Sequence, residues 1–197
     1  MKTAQRQKKQ GKIFVISGPS GSGKTTLLSN LIKDRKISKL LVKSRSFTTR
    51  PRRPQEREGR DYFFVSRDEF KRLLKAKKIL EWTRYLGYYY GTPKQFVDIQ
   101  LKKGRHLGFC LDLKGAAILK RIYPKNTVTV FVLPPSLETL KTRIEGRCKS
   151  IDKKEVAQRL RLARGELLAA PGFDYCILNN NLHSALRELK EIILARA

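Results

Sequence analysis

Residues 18–25 read GPSGSGKT, directly after KIFVIS (12–17) and overlapping the start of TTLLSNLIKD (25–34). The octet matches GxxxxGK[ST], a pattern that carries meaning only between a strand and a helix. KIFVIS is a short apolar run of the kind that forms a buried strand. Leu27, Leu28, Leu31 and Ile32 recur at helical spacing. With both flanks in place, the octet reads as a phosphate-binding loop. Gly18, Gly21 and Gly23 allow backbone conformations and close approaches that a β-carbon blocks. Successive amides then turn inward as an anion nest at the positive end of the helix. Lys24 can reach the β- and γ-phosphates of a nucleoside triphosphate, and Thr25 can hold Mg²⁺. The expected ATP-binding run is Gly18, Pro19, Ser20, Gly21, Ser22, Gly23, Lys24, Thr25 and Thr26, with Lys24 catalytic.

Outward from this loop, apolar runs alternate with helical patterns. YFFV (62–65), HLGFCLDL (106–113), TVTVFVLPP (127–135) and DYCILNN (174–180) read as strands. RDEFKRLLKAKK (67–78), PKQFVDIQLKKG (93–104), KGAAILKRIYP (114–124), residues 136–169 and HSALRELKEIILARA (183–197) read as helical. This alternation predicts an α/β fold with a parallel sheet covered on both faces. Residues 44–93 are rich in arginine, aromatic and turn residues and read as a small mixed module.

Composition narrows the ligands. Forty-four Lys and Arg against seventeen Asp and Glu give a net charge of +27, so the partners are anionic. Nucleotides, RNA and acidic proteins all fit, and weak nucleic-acid association is one expectation. The basic N-terminal stretch MKTAQRQKKQGK reads as a solvated tail rather than a signal peptide. No apolar run approaches the ~20 residues of a membrane span. Cys110, Cys148 and Cys176 are scattered, and with only His106 and His183 beside them no metal cluster is expected. A cytoplasmic protein with reduced thiols is the resulting expectation.

Two segments supply a candidate acceptor site. In SFTTRPRRPQEREGRDY (46–62), Arg50 and Arg53 flank a proline-stiffened turn. Guanidinium groups bind a phosphate bidentately, which lysine cannot. Tyr62 and Tyr90 can add hydroxyl donors. In EWTRYLGYYYGT (81–92), Glu81 lies among apolar and aromatic residues. Guanine presents N1–H and the N2 amine side by side, two donors for one carboxylate, whereas adenine N1 is an acceptor. Ser46 and Thr92 can donate to guanine O6. Asp112, ending the run GFCLD (108–112), sits where a strand's carboxyl end faces a ligand crevice, and reads equally as a capping residue.

Together, GPSGSGKT, SFTTRPRRPQEREGRDYFFV, the ILEW and GYYYGT pair, VFVLPPS, and RIEGR followed by Arg159 make the chain resemble guanylate kinases from about residue 12 to the C-terminus. The resemblance implies transfer of the γ-phosphoryl of ATP to GMP with Mg²⁺, by a nucleoside monophosphate kinase. It implies a P-loop three-layer parallel-sheet core with a small mixed GMP-binding insertion and a helical lid. On that basis residues 1–11 form the tail, and 12–45, 94–137 and 170–197 the core. Residues 46–93 form the GMP-binding module and 138–169 the lid. It further implies that Arg50, Arg53, Tyr62 and Tyr90 bind the GMP phosphate, and that Ser46, Glu81 and Thr92 bind guanine. Asp112 falls near GMP and the metal, Glu56 supports the module, and Arg147 and Arg159 close over the triphosphate. Arg143 and Arg147, four apart, are expected on one helical face.

The chain also departs from the family pattern. It reads FCLDLKG where LDIDxQG or LEIDxQG is usual, so that Cys110 replaces an acidic residue and Lys114 a glutamine. It reads GRCKS where GRG is usual, and NNN (179–181) where NDD is common. A silent guanylate-kinase-like binding module and a kinase acting on a ribose phosphate are the competing readings. The intact Lys24 and Thr25 argue against the first, and the Ser46–Glu81–Thr92 set argues against the second.

Overall fold

The computed structural model describes residues 10–146 and 152–197. Most of the basic tail, and Arg147 and Cys148 of the expected lid, lie outside the described residues. In chain order, β1 (Ile13–Ser17) leads through the glycine loop into α1 (Lys24–Leu31), then α2 (Arg35–Leu40) and β2 (Leu41–Lys43). Next come β3 (Phe47–Thr48), β4 (Phe63–Phe64), α3 (Arg67–Lys75), β5 (Ile79–Tyr85) and β6 (Tyr88–Pro93). The chain continues with α4 (Lys94–Lys102), β7 (His106–Cys110), α5 (Leu113–Ile122) and β8 (Thr127–Leu133). It ends with α6 (Leu137–Glu145), α7 (Lys153–Leu167), β9 (Tyr175–Leu178) and α8 (Leu182–Arg196).

The main sheet is parallel, with strand order β2-β7-β1-β8-β9. β1 is its centre and is buried throughout. Phe14 and Ile16 face Leu27 and Leu28 of α1 and Leu189 of α8. Ile13 and Val15 face the other way, into Val97 and Leu101 of α4 and Leu119 of α5. A strand covered on both faces has no polar side to show, which is why KIFVIS carries almost no alternation. A third apolar cluster, Leu140, Ile144, Val156 and Ala163, joins α6 to α7.

The second sheet, in the order β4-β3-β6-β5, is mixed. β5 and β6 form a hairpin with Tyr85 opposite Tyr88. Its two-residue turn, Leu86 (φ 49°) and Gly87 (φ 82°), has both residues left-handed, as a tight hairpin requires.

Side-chain caps set most helix starts. Asp34, Ser66, Asp112, Ser136, Asp152 and Asn181 each accept from first-turn amides. Gly104 (φ 72°) follows the end of α4. Asp112 explains a boundary difference. The run HLGFCLDL is strand only to Cys110, because the Asp112 side chain accepts from Gly115 N and starts α5 at Leu113. The helical stretch 136–169 holds two helices. α2, β2, β3, β5 and β6 are elements that the sequence reading does not assign. For β2 and β3 the reason is length, since strands of three and two residues are too short to display a period.

Candidate active site

The sheet and the hairpin wall a cleft at the carboxyl end of β1. Its floor is the glycine loop. Gly18, Gly21 and Gly23 all have positive φ (130°, 92° and 100°). At Gly23 the constraint is steric as well, since a β-carbon would collide with the Asn179 amide nitrogen. That amide donates to Ser22 O (2.7 Å) and pins the loop from below. α1 has no side-chain cap and no acidic residue in its first turn, so its positive end is left for an anion. Lys24 Nζ donates to the carbonyls of Gly18 (2.5 Å) and Pro19 (2.8 Å). Lys24 and Thr25 both line the cleft with Gly18, Ser20, Gly21 and Gly23. Ser22 is fully buried beneath the loop, and Thr26 is exposed on α1.

The arginines of the 46–62 segment converge on one carboxylate. Arg50 Nη2 donates to Glu56 Oε1 (2.7 Å) and Oε2 (3.0 Å), and Arg53 N donates to Glu56 Oε2 (2.9 Å). Arg53 Nη1 lies 3.7 Å from Glu56 Oε1. Burial would push the Glu56 carboxyl up, but the Arg50 hydrogen bond, the Arg53 amide and both charges together hold it below its usual range. The guanidinium of Arg50 also lies 5.5 Å from the centre of the Tyr62 ring. Tyr62 and Tyr90 meet edge-on at 6.1 Å. Burial, with Tyr90 beside it, pushes the Tyr62 phenol up to about 12, so it remains a donor. Arg50, Arg53, Tyr62 and Tyr90 all line the cleft.

At the far end, Thr92 Oγ1 donates to Glu81 Oε1 over 2.6 Å. Glu81 is 5% exposed and Thr92 is fully buried behind it. Burial lifts the Glu81 carboxyl to about 7, against the Thr92 hydrogen bond and helped by the Asp112 charge. Ser46 and Asp112 complete this end of the wall. Asp112 thus caps α5 and lines the cleft at once.

Arg159, on α7, reaches across to the loop. Its Nη1 donates to Ser20 Oγ (2.8 Å), while Nε (2.9 Å) and Nη2 (2.6 Å) both donate to Glu155 Oε1. Arg147, expected on one helix face with Arg143, lies outside the described residues. Arg143, on α6, donates to Asn179 O (3.1 Å). Sequence reasoning missed Thr83, Tyr85, Leu86, Tyr88 and Glu166 on the cleft wall. For Thr83 and Tyr85 a signal existed, since they follow Glu81 at the two-residue period of a strand.

A family model described as guanylate kinase matches residues 10–196. A curated guanylate kinase from Caldanaerobacter subterraneus subsp. tengcongensis is 39% identical over 95% of this chain and 89% of its own length. One from a Synechococcus strain is 41% identical over 93% and 82%. The crystal structure of guanylate kinase from Anaplasma phagocytophilum superposes with a TM-score of 0.76 at 31% identity, covering 96% of this chain and 87% of that one. The chain belongs to the guanylate kinase family.

Within the guanylate kinase cleft, the departures have distinct surroundings. Cys110 ends β7 on the cleft wall, and burial pushes its thiol up despite Lys24 and Lys43 nearby. Lys114 does not add its charge to the lining. Its Nζ sits 5.6 Å from the centre of the Trp82 ring, on the outward side of β5. The NNN run begins with the buried Asn179 that pins the loop and ends with Asn181, the cap of α8.

Proposed function

We propose that this guanylate kinase moves the γ-phosphoryl of ATP onto GMP, giving ADP and GDP, with the residue roles that follow. The observation that carries the reading is the cleft's polarity: a buried carboxylate with its hydroxyl partner at one end, two arginines held by one glutamate along the wall, and the glycine loop on the floor. Glu81 accepts from guanine N1–H and N2 and Ser46 faces O6, while Thr92, expected at O6, gives its hydroxyl hydrogen to Glu81 and serves the base by orienting that carboxylate. Arg50, Arg53, Tyr62 and Tyr90 hold the GMP phosphate. A phosphomonoester is largely a dianion near neutral pH, its second pKa being about 6, so no strong general base is required. Lys24 and the loop amides hold the β- and γ-phosphates, and Arg159 supplies positive charge where the transferring group develops negative charge.

Mg²⁺ fits this donor set. Thr25 offers one hydroxyl on the wall, and among the described residues no group of three His, Cys, Asp or Glu forms a protein cage. That suits an ion held mainly by substrate phosphates and water. When bound, it neutralises charge between the β- and γ-phosphates. We assign residues 46–93 to GMP binding and 138–169 to the lid. We place the enzyme in the cytoplasm, in purine nucleotide metabolism. No helix among the described residues is long and apolar enough to cross a membrane.

The test is ADP release from ATP and Mg²⁺ with GMP, AMP, CMP and UMP in parallel. Stimulation by GMP alone is expected. Equal stimulation by AMP would remove Glu81 from base recognition. No stimulation by any of the four, from folded protein that binds ATP, would make the chain a binding module.

A further inference from the structure

Two polar atoms in the cleft have no role in the reaction just described. Glu166 Oε2 and Tyr85 Oη are both buried, and neither has a hydrogen-bond partner among the described residues. Both side chains line the cleft. Tyr85 ends β5 on the strand face that carries Glu81 and Thr83, which puts it on the acceptor side of the glycine loop. Glu166 stands on α7, seven residues beyond Arg159 and hence two turns along roughly the same face. The two groups feel one another. Burial and then the Glu166 charge push the Tyr85 phenol up to about 12. Burial lifts the Glu166 carboxyl to about 7, with Lys24 opposing and Asp112 adding to the shift. Buried polar atoms in folded proteins are almost always satisfied, so this pair marks a place where a ligand supplies the partners.

The chemistry of the pair restricts that ligand. An ionised carboxylate only accepts, and a protonated phenol can donate. Phosphate oxygens only accept, so they would suit Tyr85 and be repelled by Glu166 in its ionised form, which prevails above about pH 7. Of the donors on GMP, N1–H and the N2 amine go to Glu81. The two ribose hydroxyls remain, and each both donates and accepts. We propose that Glu166 and Tyr85 form a ribose subsite of the acceptor pocket, Glu166 accepting from and Tyr85 donating to the vicinal hydroxyls of GMP. The enzyme thereby favours a ribonucleotide over its deoxy analogues. The inference rests on the reading of the cleft as a GMP site. It makes Tyr85 and Glu166 specificity-determining residues contributed by the hairpin and by the lid helix.

The experiment is kcat/KM for GMP, 2′-deoxy-GMP and 3′-deoxy-GMP with the wild type, Glu166→Ala, Glu166→Gln and Tyr85→Phe. Ratios between substrates cancel the active fraction of each preparation, so a partly misfolded variant still reports. The wild type should prefer GMP to at least one deoxy analogue by roughly ten-fold or more, the scale of a hydrogen bond to a charged group. Glu166→Ala should bring that ratio to within about threefold of unity, and Tyr85→Phe should lower it in part. Glu166→Gln, which keeps an acceptor, should retain more of the preference than Glu166→Ala. A wild type indifferent to both deoxy analogues overturns the proposal. So does a Glu166→Ala variant that slows all three substrates equally, the pattern expected if Glu166 serves metal-bound water instead. Failure of the GMP reading looks different: the wild type would then show no preference for GMP over AMP, CMP and UMP.

Discussion

The Thr92 hydroxyl donates to Glu81 Oε1 over 2.6 Å inside the cleft, and Glu81 is only 5% exposed. The hydroxyl fixes one carboxylate oxygen and leaves the other, Oε2, against the first turn of α5 near Gly115. A carboxyl so desolvated holds its proton to about 7. The unliganded protein therefore takes up a proton at Glu81 on folding. This group's stabilising contribution is fullest below the ordinary carboxyl value of 4.5 and is lost as pH rises through about 7. Guanine binding runs the opposite way, because two N–H donors need the ionised form.

That opposition predicts a pH profile. Guanosine, which lacks the titrating phosphate, should bind more weakly by up to about tenfold for each unit of pH below 7. In Glu81→Gln the slope should become shallower, with only the Glu166 carboxyl left to titrate against the ribose, and guanosine affinity should be low throughout. Isothermal titration between pH 5 and 8 measures both. A wild-type profile as flat as that of the variant would mean that Glu81 does not meet the base.

Glu56 holds Arg50 and Arg53 in one arrangement before any phosphate arrives. Glu56→Ala should leave the largely buried Arg50 guanidinium without its partner and lower stability by roughly 1–3 kcal/mol. The KM for GMP should rise by about tenfold or more, while guanosine affinity stays near that of the wild type. Equal loss of guanosine and GMP binding would assign Glu56 to the fold of the module rather than to the phosphate.

Asn179 ties β9 to the glycine loop through Ser22 O and accepts from Arg143. Asn179→Ala should cost roughly 1–3 kcal/mol in unfolding experiments, because the Ser22 carbonyl loses its donor, whereas Arg143 bonds the backbone oxygen of residue 179 and keeps its partner. ATP affinity should fall with it while guanosine binding is kept. An unchanged ATP affinity would show that the glycines hold the loop without this clamp.

Arg159 is held twice by Glu155 and touches Ser20 of the loop. Arg159→Ala should lower kcat by about 10³ or more, with a smaller change in ATP binding. Glu155→Ala should lower kcat less, since the guanidinium survives and loses only its aim. If Glu155→Ala matched Arg159→Ala, the glutamate would have to be part of the reacting site itself.

Much of this was legible along the chain. The glycine loop could be read because its flanks carry their own signals: an all-apolar strand before it and leucines at helical spacing after it. Glu81 could be read because a carboxylate among aromatic residues invites a question about its partner. Tyr85 and Glu166 could not be read in the same way. Nothing local distinguishes Glu166 from the other charged residues of α7, and it becomes unusual only when folding buries it beside Lys24 and Asp112. Arg143 shows the same limit. Its spacing places it on a helix face and says nothing of Asn179, whose backbone oxygen it reaches only through packing.

By itself, then, the sequence determined the α/β class and the phosphate loop, since these rest on residue type and near-neighbour spacing, whereas guanine as the base follows from the resemblance to guanylate kinases. Tertiary structure alone decided which polar groups lose water. It put Glu81 and Thr92 in a buried pair, aimed Arg159 at Ser20, and left Glu166 Oε2 and Tyr85 Oη without hydrogen-bond partners among the described residues. The physical reason is that desolvation depends on what packs around a group from distant parts of the chain. Glu166 stands beside Lys24 and Asp112 only because α7 folds back over the carboxyl ends of β1 and β7.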